Sequence, residues 1–596
     1  LIELKKKIIH YSELFEQTQN AFVFTIAILI GIFAGFGAAG FRYLILFFQE
    51  VFYGDFTNYL HRIIEIPWYW KLLVPAGAGL ALGPLIYKYK VLKGHGVPEV
   101  MDAVVTQGGR LPPFTFLFKT LASAVCIASG GSVGREGPIV MIGASMGSNM
   151  GQLFRTSTQR MRTFVACGAA AGIAATFNAP IAGVIFSLEI IVGEITLEHF
   201  SPIVVSSVIA TAISRWLLGN APSLIVPPYE LASFQELGNY AVLGLCAALV
   251  AILFTNFLYK TEDLVEGIKI PEYFKPALGG LVIGTLAIIG FPHIFGVGYE
   301  TIDKLLVNET EGINLLGFNQ GMIWIFLIIL IFVKIFATST TLATGGSGGI
   351  FAPSLFIGAT MGGALGGLFN IIMPGTTGDI GAYAVVGMGA LVAGTTHGPL
   401  TAMMIIFEMT GNYKIILPLM TACVTSTMVA RAIQKDSIYT LKLVRRGVNI
   451  FEGREQNVLK SLHVREVMHT DFKIIPEHTS CSSIIDLVSG SRDFYFPVIN
   501  ETGEMTGVFS LNDIRKFMKE EEHLKHLIIA KDIAATDVIS TFPDENLSEV
   551  IKKFSKLNID EIPVMEGRDS KRVVAMIKRK DVIDAYNREM IRREIE

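Results

Sequence analysis

The sequence is poor in charge. Only 17% of its 596 residues are Asp, Glu, Lys or Arg, against about 25% in soluble proteins. Hydrophobic residues make up 51% and mean hydropathy is +0.51. The chain is too long for one ordinary domain, and apolar blocks such as Ile323 to Val333 identify a polytopic membrane protein with something attached. A net charge of −3 offers no basic surplus for nucleic acid. The five cysteines (Cys126, Cys167, Cys246, Cys423, Cys481) form no CxxC pair and four lie in apolar segments. They read as inert buried thiols in a reducing setting. There is no HExxH, no Walker pattern, and no Ser/His or paired-Asp motif in the apolar segments. Those gaps argue against a membrane protease, a lipid-modifying transferase or any other enzyme, and against a metal site. Lys5-Lys6-Lys7 run into the polar stretch Tyr11 to Asn20, so no cleavable signal peptide is expected.

What is present is two copies of one short pattern. Gly130-Gly131-Ser132-Val133-Gly134-Arg135-Glu136-Gly137-Pro138 and Gly345-Gly346-Ser347-Gly348-Gly349-Ile350-Phe351-Ala352-Pro353 both read G-G-S-x-G-x-x-x-P, 215 residues apart. A glycine-rich turn running into a helix start gathers unpaired N–H groups at a positive dipole end, a ready anion site. The first copy has Glu136 where the second has Phe351. The two copies are expected to hold an anion jointly, with Glu136 as its movable competitor.

The duplication extends further. Thr176, Pro180 and Glu189 recur as Thr395, Pro399 and Glu408 at an offset of 219. Apolar segments fill two halves, about 22–218 and 239–434, many shorter than the ~20 residues that cross a bilayer. Short, Gly- and Pro-interrupted segments in matching positions are the pointer to a midplane binding site. Basic clusters at Lys88, Lys90 and Lys93, at Arg155, Arg160 and Arg162, and at Arg431, Lys435, Lys442, Arg445 and Arg446 mark cytoplasmic loops. A cell-membrane, multi-pass protein with both termini cytoplasmic is expected. Beyond about residue 442 charge becomes frequent. Phe496-Pro497-Val498 and Asp513 are echoed by Ile562-Pro563-Val564 and Asp581, which reads as a tandem soluble α/β module.

These motifs resemble the CLC family of chloride channels and chloride/proton exchangers. The resemblance rests on Gly134 to Pro138, Gly349 to Pro353, Gly94-His95-Gly96-Val97-Pro98-Glu99, Asn178-Ala179-Pro180, Glu408 to Tyr413 and Tyr439, together and in order. The tail resembles a tandem pair of CBS domains. The resemblance implies an all-α membrane domain at 21–441, duplicated as an inverted repeat with short broken helices. It also implies an N-terminal cytoplasmic segment at 1–20, a linker at 442–462, and CBS repeats at 463–518 and 527–590. The implied assembly is a homodimer in membrane lipid with one pore per subunit.

The same resemblance suggests His95, Gly96, Gly134, Arg135, Gly137, Ile350, Phe351 and Tyr439 as the anion-binding set and Glu136 as gate and proton carrier. Protonation of Glu136 would release it and admit chloride. Arg135 reads as a loop anchor, since a fixed guanidinium holds an anion too firmly for throughput. His95 departs from the serine of many chloride-selective members; it either donates a ring N–H to the anion or turns away. Exchangers usually carry a second glutamate just after the position of Glu189, where this chain has Ile190. That favours channel-like passive conduction, with a chloride/proton antiporter as the alternative and Glu189 as a candidate inner proton route. Lys119 matches a basic position near the pore helices and reads as structural. A CBS-linked divalent cation transporter is a remote alternative, for it needs clustered membrane carboxylates. In the tail, Ser510 and Asp513 fit the S/T-x-x-D pattern for phosphate and ribose. Asp581 has Lys578 in place of the hydroxyl. An adenine nucleotide and a purely structural role both stay open, and no cofactor is required.

Overall fold

The structure is a computed structural model. It describes residues 19–54, 59–89, 92–113, 115–193, 197–220, 224, 226–227, 229, 231–309, 313, 322–374, 377–448, 459, 462–489, 493–517, 527–557, 559–568 and 570–595. The expected N-terminal segment lies almost wholly outside the described residues, as does most of the expected linker. The chain forms two compact units, Leu1–Val448 and Asn449–Glu596.

The first unit is helical. Its first half holds α1 (Gln19–Tyr53), α2 (Tyr59–Glu65), α3 (Trp68–Lys88), α4 (Val97–Thr106) and α5 (Thr115–Ala128). It continues through α6 (Glu136–Leu153), α7 (Thr158–Phe177), α8 (Pro180–Phe186) and α9 (Leu197–Leu218). The second half holds α10 (Glu236–Gly267), α11 (Lys275–Ile289), α12 (Tyr299–Leu306), α13 (Ile323–Ala343) and α14 (Phe351–Ile372). It ends with α15 (Ile380–Thr396), α16 (Pro399–Thr410) and α17 (Ile416–Ile433), and short α18 (Thr440–Arg445) follows. Among the described residues seven helices are long and apolar enough to cross a membrane. Shorter apolar helices include α5, α11, α15 and α16.

Glycine explains how these helices pack. A Cβ on Gly143 would overlap the carbonyl of Gly168, and the reverse is equally true, so α6 and α7 meet backbone to backbone. Gly358 and Gly387 do the same for α14 and α15. Such small-residue contacts replace the hydrophobic driving force that lipid removes.

The two halves interlock by reciprocal bonds. Ser123 Oγ lies 2.9 Å from Ser347 Oγ, and 215 residues on in each case Thr338 Oγ1 lies 3.4 Å from Ser132 Oγ. Glu189 accepts from the N–H groups of Leu400 and Thr401 (3.2 and 2.7 Å), while Glu408 accepts from those of Ile181 and Ala182 (3.1 and 2.6 Å). Each glutamate thereby satisfies the helix start of the opposite half, where N–H groups lack intrahelical partners. Gly134 and Gly349 exchange both backbone hydrogen bonds at 2.7 Å in an antiparallel bridge, so the copies run oppositely where they touch. Reciprocity of this kind is what a two-fold axis between duplicated halves produces.

The second unit carries a three-stranded sheet, β1 (Ile475–Pro476), β2 (Tyr495–Ile499) and β3 (Met505–Ser510), in that order, with β1–β2 parallel and β2–β3 antiparallel. Strands β4 (Glu561–Met565) and β5 (Val573–Lys578) pair antiparallel. Two cores result, one around Ile475, Ile484, Phe496 and Phe509, the other around Leu547, Phe554, Ile562 and Ile577. Val464, at the start of the first repeat, packs into the second core, and Ala530 and Ile533, at the start of the second, pack into the first. The repeats are therefore exchanged at their entries, which a partition by sequence range does not convey.

Candidate functional site

The site lies where the two glycine-rich turns meet. α6 starts at Glu136 and α14 at Phe351, so the first N–H groups of each helix have no carbonyl in their own helix. The bridge between Gly134 and Gly349 fixes the two helix starts side by side. Lys119 on α5 is fully buried and donates to the carbonyls of Leu92 and Gly94, both at 2.8 Å, pinning the third loop. Lys334 on α13 holds the carbonyls of Ile294 and Gly296 at 3.2 and 3.3 Å. Lys119 is thus a structural clamp, with a counterpart in the other half.

Glu136 is 1% exposed. Its Oε2 accepts from the N–H of Ala352 at 3.3 Å, and its own backbone N–H also faces the carboxylate. Its Oε1 accepts from the Tyr299 hydroxyl at 2.8 Å. The Glu136 carboxylate therefore sits on N–H groups of both copies. Arg135 places its guanidinium over the Tyr299 ring, 5.1 Å from the centroid, and Tyr299 so links the two residues. Tyr439, 1% exposed at the start of α18, lies within electrostatic reach of Glu136. Phe351 is buried against Phe177, with ring centroids 5.7 Å apart.

Several expected donors are engaged elsewhere. The N–H of Gly96 donates to Glu99 Oε2 at 2.8 Å, capping α4, and that of Gly134 donates to Gly349. Both glycines shape the loops, because their N–H groups are used in holding them. Gly137 lets the third loop approach, for a Cβ there would overlap the His95 carbonyl. Its N–H, with that of Phe351, stands at a helix start; Ile350 is the residue before α14. The His95 ring is fully buried and neither nitrogen has a hydrogen-bond partner among the described residues; Nε2 lies 3.9 Å from Glu262 Oε1. Ile190 is buried in a π-helical turn, Ser187–Val192, beside the capping Glu189. Both oxygens of Glu189 are bonded to backbone N–H groups.

Sequence reasoning missed Tyr299. The signal was there: Gly296-Val297-Gly298 repeats Gly94-His95-Gly96 at an offset of 202. It also missed Glu262, whose meeting with His95 no local pattern announces.

In the second unit Ser510 Oγ donates to Asp513 Oδ2 at 2.7 Å, and the Ser510 N–H reaches the same oxygen at 2.9 Å. Lys578 pairs with Glu561 at 3.0 Å and with Asp493 at 3.6 Å. Burial opposes its charge, but the Glu561 hydrogen bond and the two carboxylates hold its ammonium above the ordinary lysine range. Asp581 lies 3.9 Å from His469 Nδ1.

A family model described as "Voltage gated chloride channel" matches residues 78–431, and a CBS domain model matches 464–520 and 530–588. The chain is 35% identical over 425 residues to a "Putative chloride channel protein ClcB-like" of Ralstonia nicotianae, covering 70% of this chain and 96% of that protein. It is 32% identical over 422 residues to a "Voltage-gated ClC-type chloride channel ClcB" of Escherichia coli, covering 70% and 97%. Among solved structures it matches "a slow cyanobacterial Cl-/H+ antiporter" with TM-score 0.63 and 26% identity, covering 71% of this chain and 97% of that one. A eukaryotic CLC transporter shares the fold over 94% of this chain, with TM-score 0.60 and 20% identity.

Proposed function

Because the chain belongs to the voltage-gated chloride channel family, we propose that it carries chloride across the cell membrane, through one pore in each subunit of a homodimer, with Glu136 as the gate. The observation that carries this is the position of the Glu136 carboxylate on the Ala352 N–H, with the Tyr299 hydroxyl donating to its other oxygen. A carboxylate and a chloride ion have the same charge and compete for the same N–H groups. Partial charges at helix ends, up to ~2 kcal/mol each when partly buried, bind an anion firmly enough to select it and weakly enough to release it. Gly137, Ile350 and Phe351 supply backbone N–H groups, and the Tyr439 hydroxyl faces the ion from the inner side. Protonation removes the charge of Glu136 and frees the cradle. In proteoliposomes Glu136→Gln should conduct chloride at all pH values, while wild type is pH-gated; pH gating that survives in Glu136→Gln would overturn the proposal.

The mode is coupled chloride/proton exchange. Ile190 taken alone argues for passive conduction, but His95 places an unpartnered, protonatable ring beside Glu262. The likeness to a Cl-/H+ antiporter supports the same reading. A chloride gradient should drive proton uptake; a reversal potential set by chloride alone would return the protein to the channels. For the CBS pair we favour a structural role over adenine nucleotide binding. Ser510 and Asp513 bond each other, and Lys578 is held by carboxylates. Calorimetry on the full chain with millimolar adenine nucleotide tests this, and saturable heat would reverse it.

A further inference from the structure

We infer that Glu262 and His95 form the inner half of the proton route, in place of the carboxylate that Ile190 lacks. The inference rests on the exchange reading above. Three observations carry it. The His95 ring is fully buried with both nitrogens unpartnered, an arrangement whose desolvation is tolerated where function uses it. Its Nε2 faces Glu262 Oε1 at 3.9 Å. Glu262, on α10, lines a cavity of about 600 Å³ together with Lys93, Glu266, Lys442, Arg445 and Arg446. That basic face is the cytoplasmic one by the distribution of lysine and arginine. The backbone carbonyl of His95 abuts Gly137, the residue after Glu136.

Imidazole suits the position because it accepts a proton at one nitrogen and gives one up at the other. Glu262 takes a proton from hydronium in the cavity, which leaves water, and passes it to Nε2 of neutral His95, which leaves a carboxylate and an imidazolium. The Nδ1 proton then departs toward Glu136 and the ring returns to neutral in its other tautomer. No electrons are transferred, and one proton enters for each that leaves. The 3.9 Å gap closes with a small rotation of the Glu262 side chain, or a water spans it. The ring is faced by Glu262 and Tyr259 from α10, Lys442 and Arg446 from α18 and its end, Lys119 from α5, and Glu99 near the loop. Burial first, and then the three cations among these, disfavour the charged ring, so the imidazolium is only transient and a proton on His95 is passed on rather than stored. Glu262 also lies 3.8 Å from Lys442. A purely charge-balancing carboxylate would alter stability or chloride affinity and leave coupling unchanged.

The test is chloride-driven proton uptake by the full chain in proteoliposomes, with chloride flux recorded on the same vesicles. In Glu262→Gln proton uptake should fall about 100-fold while chloride flux stays measurable, and Glu262→Asp should restore most of it; in His95→Gln proton uptake should fall by the same factor. Wild-type proton uptake in either Gln variant overturns the inference. So does loss of both fluxes in all Glu262 variants at wild-type melting temperature, which would place Glu262 on the anion path. Wild type that moves chloride without protons overturns the inference together with exchange. Wild type that moves no chloride overturns the transport reading itself.

Discussion

Tyr299→Phe isolates one bond at the gate. The Tyr299 hydroxyl donates to Glu136 Oε1 at 2.8 Å, while its ring supports the Arg135 guanidinium at 5.1 Å. Phenylalanine keeps the ring contact and removes only the donor. A hydrogen bond to a charged group contributes about 1.5–3 kcal/mol. Every 1.4 kcal/mol is tenfold, so the ratio of gate-in to gate-out should fall by roughly ten- to a hundredfold. The carboxylate keeps its bond to the Ala352 N–H, so closure is weakened and not abolished. At alkaline pH, where Glu136 is charged and limits passage, chloride flux from proteoliposomes should rise by that factor. At acidic pH the protonated gate has already left the cradle, and variant and wild type should coincide. Wild-type flux at alkaline pH, in a preparation where Glu136→Gln is open, would refute the role given to Tyr299. A lowered flux at both extremes would refute it as well, by making the hydroxyl a ligand of the ion.

Gly134→Ala puts a Cβ onto Glu136 Oε2 and within 2.9 Å of the Ala352 Cβ. The flexible carboxylate should yield first, so alkaline chloride flux should approach that of Glu136→Gln; a tighter gate would show that the loop moved instead. Glu189→Gln and Glu408→Gln each leave one amide oxygen for two N–H groups, costing about 1–3 kcal/mol apiece. Thermal unfolding in detergent should fall by similar amounts in the two, as their reciprocal bonds require; loss of proton coupling in Glu189→Gln alone would make it the inner route. Lys578 gains partners on folding, so its folded ammonium lies above the unfolded lysine value of about 10.4. Its contribution is complete below that value and disappears as pH rises through the higher folded one. Amide exchange in 561–578 should quicken there in wild type, and Lys578→Met should show no such alkaline step.

Much of the scaffold was legible because duplication writes itself into motifs. Equal letters at offsets of 215 and 219 marked the turns and the capping glutamates, and Glu136 stood out as the one carboxylate within the two glycine-rich turns. The hidden parts were contacts between stretches with no shared period. Tyr299 opens a helix just after a Gly-x-Gly turn whose offset is 202, so a search at the offset of the glycine turns passes over it. His95 was visible as an oddity, but its neighbour Glu262 comes from the charged last turns of a long helix, whose pattern says nothing about that meeting. The motif letters likewise could not tell which glycine N–H groups face an ion. Gly96 and Gly134 donate within the protein, and only the bond pairing shows it.

The reciprocal bonds suggest why the pore needs its halves to differ. Positions that match between the copies hold the frame: Gly134 with Gly349, Ser132 and Ser123 with Ser347 and Thr338, Lys119 with Lys334, Glu189 with Glu408. The residues given to chemistry stand where the copies diverge, Glu136 opposite Phe351, His95 opposite Val297 and Tyr299 opposite Val97. Electrostatics requires the divergence at the gate. Two carboxylates sharing one small ring of N–H groups at about 4 Å would repel by roughly 4 kcal/mol at a near-surface effective dielectric. One of them would be held neutral or expelled, and the survivor could not answer to pH as a single switch. On the proposed reading, a symmetric cradle with one charged competitor keeps the anion site two-sided and gives control of it to one proton.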